Sequence, residues 1–515
     1  MWSGFKSYEK YLFFLLIISA FLLVAFVHIS YPEEFYYAVP EGIRVGSGMD
    51  FYPYPLHGDE WNHVAQAVYV METGIFPSTN PYIKDYGSKV NLQSGFHFFL
   101  AQFFTLTGLD PVRHFWFLPA LLAVISVLSL FALVLYLSRD FFSAFFSSLF
   151  FLGMANNTNI MGVWFLVPLS FSFFLVFLSL LAFQKKEKSF YLLLGLFFLT
   201  SLFTYPFAAI LSFITITTLF ILENREKLLK SYKQVSYIAV MGAVGLAIAL
   251  ILFRGNISSL LHSLYFPYGW VTGFEHLYPL TSITGILPLI FSAAAILFML
   301  AVKKLFENTK AFIVLAFLTG ILVLSYTYLN FTIIIPYQRA LIYLAISLAA
   351  LGGIGLSYTI TSLSHLVKKH FSSAQYFLQI IIITGIILTF FFSYNDYYEV
   401  EDERFKPLIF ISEADYEALT WLEERHGTGN VVLANEITSF GVYPVSKNHV
   451  VGMPLSNLEG GDINAAREFF RADCATKEEI ARSREIDFAY SHFPLDCEFL
   501  QETRAGETYI YLVVS

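Results

Sequence analysis

Seven consecutive residues concentrate the polar chemistry of this chain: His57-Gly58-Asp59-Glu60-Trp61-Asn62-His63. They follow a stiff aromatic approach, Phe51-Tyr52-Pro53-Tyr54-Pro55, and lead into a helical pattern through Ala65, Val68, Tyr69 and Met71. That order puts Asp59 and Glu60 in the first turn of a helix, where the macrodipole favours negative charge. Two uses of Asp59 are open from the residues alone. It could do no more than cap the helix. It could also act as a general base that takes a proton from an attacking hydroxyl, with His57 and His63 beside the substrate. Asp59 and His63 are four apart and could share a helix face, which leaves a divalent metal open, although no cofactor is demanded. Further along lie Lys84 and Tyr86, in Pro81-Tyr82-Ile83-Lys84-Asp85-Tyr86, and His97, in Gly95-Phe96-His97. Far downstream, Arg339 in Pro336-Tyr337-Gln338-Arg339 opens an apolar run. Its guanidinium could grip a phosphate bidentately at headgroup depth, or simply snorkel to the interface.

The elements that must position these groups are set by a membrane. Of 515 residues, 57% are apolar and only 14% charged, and 57 are Phe; a soluble chain carries roughly 25% charged residues. Apolar runs of spanning length predict about eleven transmembrane helices. They cover Tyr11–Ile29, His114–Leu137, Phe141–Met154, Gly162–Phe183, Phe190–Tyr205, Pro206–Leu222, Val235–Phe253, Leu280–Val302, Ala311–Leu329, Ala340–Tyr358 and Tyr376–Phe392. Lys6, Lys10, Arg139, Lys185, Lys186, Lys188, Arg225 to Lys233, Lys303, Lys304, Lys310, Lys368 and Lys369 all fall on one side of that arrangement. The positive-inside rule makes that side cytoplasmic, with the N-terminus inside and the C-terminal tail outside a plasma membrane. The first span has no small-residue cleavage site after it and reads as a retained helix. Phe96–Leu106 is too short to span and reads as a juxtamembrane helix on the outer face.

The tail differs in kind. From Asn395 onward there are 23 acidic and 10 basic residues, against 16 and 21 before it, within a net charge of −8. That balance gives no ground for a nucleic-acid partner. Ser412-Glu413-Ala414-Asp415 reads as a capping box opening a helix to Arg425. Val431–Leu433 and His449–Val451 read as short strands, Ala465–Phe470 and Lys477–Arg484 as helices, and Leu495–Val514 as a closing hairpin. Both cysteines, Cys474 and Cys497, sit in this outer α/β domain, and that compartment favours one disulfide over two buried thiols. Asn-x-Ser/Thr triplets begin at Asn156, Asn256 and Asn330, all on the outer side. The expected partition is 1–29 for the N-terminus and first span, 30–113 for the first outer loop, 114–393 for the bundle and 394–515 for the soluble domain.

With these residues placed, the chain resembles the GT-C superfamily of membrane glycosyltransferases, which use polyprenyl-phosphate-linked sugars, and its archaeal members in particular. The resemblance rests on a first helix followed by an outer loop with the acid pair Asp59-Glu60. A helix ending Glu72-Thr73-Gly74 follows, then Asn80-Pro81, Gly95-Phe96-His97 and Thr107-Gly108-Leu109-Asp110-Pro111. Ser138-Arg139-Asp140, the Arg339-led helix and Tyr416-Glu417-Ala418-Leu419-Thr420-Trp421-Leu422 extend it along the chain. The resemblance implies an inverting transfer on the outer face, with Asp59 as catalytic carboxylate and Glu60 assisting or substituting. It implies a polyprenyl-phosphate-sugar donor, a glycan, lipid or protein acceptor, and cationic groups at the leaving phosphate: Arg339 first, Lys84 and Lys89 after it. The chain lacks the Trp-Trp-Asp-Tyr-Gly motif of the oligosaccharyltransferase catalytic subunit. Its loop Asn156-Asn157-Thr158-Asn159 carries no carboxylate. The main rival is a transporter or flippase for lipid-linked saccharides, which would place ionisable groups within the spans. Here such groups are nearly confined to span ends, as at His28 and His114. A receptor or scaffold with a partner-binding tail is a third reading.

Overall fold

Apolar periodicity becomes helix over most of the chain. A computed structural model describes residues 6–30, 51–75, 80–84, 93–154, 162–228, 236, 265–267, 279–370, 411–453, 461–504 and 507–514. The expected span Val235–Phe253 apart from Ser236, the span Tyr376–Phe392, and Tyr86, Lys89, Asn156 and Asn256 lie outside the described residues. Six described helices are long and apolar enough to cross a membrane, and three shorter apolar ones, Phe141–Leu152, Lys188–Thr204 and Ile286–Ala301, accompany them. The protein is thus a multi-pass membrane protein with a small C-terminal α/β sheet.

The chain divides into two compact units. The first comprises Met1–Phe21, Leu122–Val163 and Leu169–Arg404. It draws on α1 (Ser7–Ser30), α4 (Phe117–Ser138), α5 (Phe141–Leu152), α6 (Pro168–Lys185), α7 (Lys188–Thr204) and α8 (Pro206–Leu228). It continues through α9 (Leu280–Thr284), α10 (Ile286–Ala301), α11 (Lys303–Leu329) and α12 (Tyr337–His370). A two-stranded antiparallel ribbon, β1 (Tyr265–Pro267) with β2 (Phe331–Ile333), belongs here too. Helix α1 keeps Tyr11, Phe14, Leu15 and Ile18 exposed, as suits a lipid-facing helix. Helix α12 is the most buried of the candidate spans. Its glycines explain how neighbours come so close. A Cβ at Gly353 would lie 2.1 Å from the Ser147 backbone nitrogen of α5, and one at Gly355 would lie 1.9 Å from the Phe291 carbonyl oxygen of α10.

Two expected spans are altered in detail. Gly162–Phe183 is helical only from Pro168 onward. Proline is favoured in the first helical turn and disfavours helix in the residue before it, so 162–167 stay outside the helix. Leu280–Val302 is broken at Gly285, whose φ of 70° separates α9 from α10.

The second unit comprises Leu22–Leu121, Trp164–Pro168 and Phe405–Ser515. The first outer loop and the soluble tail, expected as separate segments, therefore cluster in one body. It holds α2 (Gly58–Thr73), α3 (Ser94–Thr107), α13 (Glu413–His426), β3 (Val431–Leu433), α14 (Ser439–Ser446) and β4 (His449–Val450). It ends with α15 (Ile463–Arg471), α16 (Cys474–Ser483), β5 (Phe488–Ser491), β6 (Leu500–Arg504) and β7 (Tyr509–Val513). The sheet order is β4-β3-β5-β7-β6. β3 runs parallel to β4 and β5, while β7 runs antiparallel to β5 and β6. Ser412 and Asp415 form the capping box of α13, and Asp415 Oδ1 accepts from the Tyr490 hydroxyl and lies 2.7 Å from His492 Nε2. Cys474 and Cys497 are joined in a disulfide, their Cα atoms 5.5 Å apart.

Candidate active site

Helix α2 carries the acid pair, and its start is heavily constrained. His57 is the N-cap residue; its Nδ1 accepts the Asp59 N–H at 3.0 Å, and its ring meets Phe165 edge-on at 5.6 Å. Asp59 and Glu60 occupy the first turn, as the sequence predicts. At the other end Gly74, with φ of 66°, closes the helix in the left-handed conformation that glycine adopts without steric cost.

The two neighbouring acids have opposite surroundings. Glu60 is 0% exposed. Its Oε2 accepts the N–H groups of Leu56 (3.0 Å) and His57 (3.2 Å), and its Oε1 accepts the N–H of Leu166 (2.7 Å). His28 Nε2 lies 3.5 Å from the same Oε1. Asp59 is only half-buried, and among the described residues no hydrogen bond or ion pair engages its carboxylate. A carboxylate that accepts nothing from the described residues, at a helix N-terminus, can accept from a ligand instead.

His63 and His97 come together from α2 and α3, Nδ1 to Nε2 at 2.9 Å. Burial lowers the His63 pKa well below the ordinary range, and nearby His97 and His57 add to the effect; burial alone lowers His97 to about 3. Both imidazoles are therefore neutral near pH 7. The Nδ1 of His63 faces His97, and among the described residues no three His, Cys, Asp or Glu side chains are grouped to hold a metal ion. The Asp59–His63 pairing that the sequence leaves open gathers no third ligand among the described residues.

The remaining expected residues scatter. Lys84 is exposed, with no ion pair among the described residues. Its neighbour Tyr82 is fully buried, and its hydroxyl reaches the carbonyl oxygens of Trp61 (3.2 Å) and Phe440 (2.9 Å). The Tyr82 carbonyl accepts the Val450 N–H at 2.7 Å, so residues 80–84 lie along the β4 edge of the sheet. Arg339 belongs to the first unit, near the start of α12. It interacts electrostatically with Tyr205 and Tyr343. Its Nη1 is buried without a hydrogen-bond partner among the described residues, and the buried Tyr205 hydroxyl lies beside the guanidinium. The sequence reading missed Leu166 and Tyr205. Pro168 and Pro206 were available signals, since each marks the start of a helix and leaves the residues before it free to turn inward.

No family model matches this chain, and no curated protein sequence does either. Solved structures do. The oligosaccharyltransferase of Archaeoglobus fulgidus, tethered to an acceptor peptide with an NVT sequon, superposes with a TM-score of 0.57 at 13% identity. The match covers 95% of this chain and 70% of that one. The same archaeal enzyme bound to an inhibitory peptide and a dolichol-phosphate gives a TM-score of 0.56 at 13% identity, with the same coverage. Its apo form gives 0.56, covering 94% of this chain and 70% of that chain. At such identity the likeness is one of fold: the chain shares the fold of this archaeal oligosaccharyltransferase.

Proposed function

We propose that this protein is an inverting glycosyltransferase that moves a sugar from a polyprenyl-phosphate-linked donor to an acceptor on the outer face of the membrane. The observation that carries the reading is the contrast within the acid pair: Glu60 is buried and saturated, while Asp59 keeps a half-buried carboxylate with no partner among the described residues. The acceptor hydroxyl attacks the anomeric carbon as Asp59 takes its proton. The new C–O bond forms as the bond to the phosphate oxygen breaks, that oxygen keeps the electron pair, and the configuration inverts. General-base assistance of this kind is worth about 10²–10⁴ in rate.

Arg339 is proposed for the donor's phosphate on the geometry of its own unit. A buried guanidinium nitrogen that no described residue engages, beside the buried Tyr205 hydroxyl, leaves a donor that a phosphate oxygen would satisfy. The fold supports the donor class, since the archaeal enzyme that shares it has been solved with dolichol-phosphate. The acceptor is a glycan, lipid or protein.

Mass spectrometry of glycans and glycolipids from cells lacking the protein tests the reading. A glycan truncated by one sugar is expected, and it would name both sugar and acceptor. Unaltered glycans, together with saccharide-lipid flux by the purified protein in vesicles and no glycosyl product, would replace the transferase with a flippase.

A further inference from the structure

Glu60 ties together three stretches of chain. Its donors are the backbone N–H groups of Leu56 and His57 just before α2 and of Leu166 just before α6, with His28 at the end of α1 as a fourth neighbour. His28 is itself 0% exposed, and its Nδ1 has no partner among the described residues. A proton on Nδ1 would be a buried, unpaired donor, so the imidazole hydrogen belongs on Nε2, facing the carboxylate. A carboxylate so placed cannot swing out to a substrate hydroxyl without abandoning all of these donors, and none of its surface is open to one.

We infer that Glu60 is a positioning residue for Asp59, rather than a second base: it fixes where α2 begins by fastening it to the backbone at Leu166 and to His28. The inference rests on the reading of Asp59 as the base. The chain contains its own control for the argument. In α13 the acid at the corresponding position is an aspartate, Asp415, and its Oδ2 still accepts the N–H of the N-cap residue Ser412 at 2.7 Å. A shorter side chain at position 60 would therefore keep the cap bond to His57 but fall a methylene short of Leu166. Glu60→Asp separates the tie from the cap. Glu60→Gln keeps a single oxygen and can serve only one of the two sets, because its amide nitrogen presents a donor to partners that are themselves donors.

The experiment compares wild type, Glu60→Asp, Glu60→Gln and Asp59→Asn as full-length protein in lipid nanodiscs. Hydrogen exchange is followed in the peptides covering 56–61 and 162–168. Kinetics are followed across pH with a polyprenyl-phosphate sugar as donor. Exchange in 162–168 should rise roughly tenfold in Glu60→Asp. Exchange in 56–61 should stay unchanged in Glu60→Asp, Glu60→Gln should raise exchange in one of the two peptides, and Asp59→Asn should change neither. In both Glu60 variants kcat should fall roughly 10–100-fold with KM for the donor nearly unchanged. In Glu60→Asp the acid limb of the kcat/KM profile should stay where it is in wild type, because the proton acceptor and the neighbouring charge are both kept. Unchanged exchange at 162–168 in Glu60→Asp overturns the tie, whatever the activity. A shifted acid limb in Glu60→Asp makes Glu60 the base and overturns the assignment. Full activity in Asp59→Asn instead removes the reading of Asp59, while the exchange arm still reports on Leu166. Should Glu60→Gln fail to accumulate, Glu60→Asp, which keeps the cap, carries the test.

Discussion

His63 Nδ1 and His97 Nε2 stand 2.9 Å apart, each on a different helix and both shielded from solvent. One donates and the other accepts, so the bond exists only while at least one ring lacks its second proton. Burial keeps His97 unprotonated down to about pH 3, and His63 is likewise held well below its ordinary pKa. The unfolded chain takes up these protons near pH 6.5. Stability from the pair is therefore fully present above pH 6.5 and is lost as pH falls from there toward 3, by at most about 1.4 kcal/mol per pH unit per histidine. Melting of the wild type should drop between pH 7 and 5, and His97→Gln should drop less steeply. Equal slopes would mean that the pair does not titrate with folding.

Packing in the first unit depends on the absence of a side chain at Gly353. An added Cβ would collide with the backbone of Ser147, which no rotamer change can relieve. Gly353→Val should cost about 3 kcal/mol or more and lower the melting temperature in detergent, whereas Gly320→Ala, where a Cβ would meet only Leu344 at 3.9 Å, should be nearly silent. Equal melting of the two variants would contradict this account of how α5 and α12 meet.

Tyr82 joins α2 to the tail through one hydroxyl shared by two carbonyls. Tyr82→Phe keeps the ring and removes the donor, leaving buried acceptors less satisfied. The expected loss is about 1–2 kcal/mol, read from denaturation followed by tryptophan fluorescence. An unchanged midpoint would show that the hydroxyl contributes nothing net.

The Cys474–Cys497 bridge spans a separation of 23 residues. Closing a loop of that order stabilises by about 3 kcal/mol. Cys474→Ser, or reduction of the wild type, should lower the melting of the tail by the same amount. Agreement between the two would assign the effect to the bridge, and a reductant-insensitive wild type would contradict it.

Local pattern sufficed for much of this architecture. The acid pair ahead of an apolar periodic run placed the start of α2, and Ser412 with Asp415 placed α13, because capping chemistry acts within three residues. Other features depend on distant neighbours. Phe488–Ser491 is a four-residue buried strand at the centre of the sheet, too short to be told from helix by periodicity. Helix α14 contains Gly441 and Pro444 and has poor intrinsic propensity, and its complete burial overrides that. At the site, Asp59 and Glu60 are equivalent as letters. What distinguishes them is the N–H of Leu166, over a hundred positions away in the chain.

The most direct test of the account is the rate of sugar transfer by Asp59→Asn in reconstituted membranes, measured beside its unchanged folding and donor binding. The substitution preserves shape and removes the base, so kcat should fall by about 10²–10⁴. Transfer at the wild-type rate by a folded Asp59→Asn protein would contradict it.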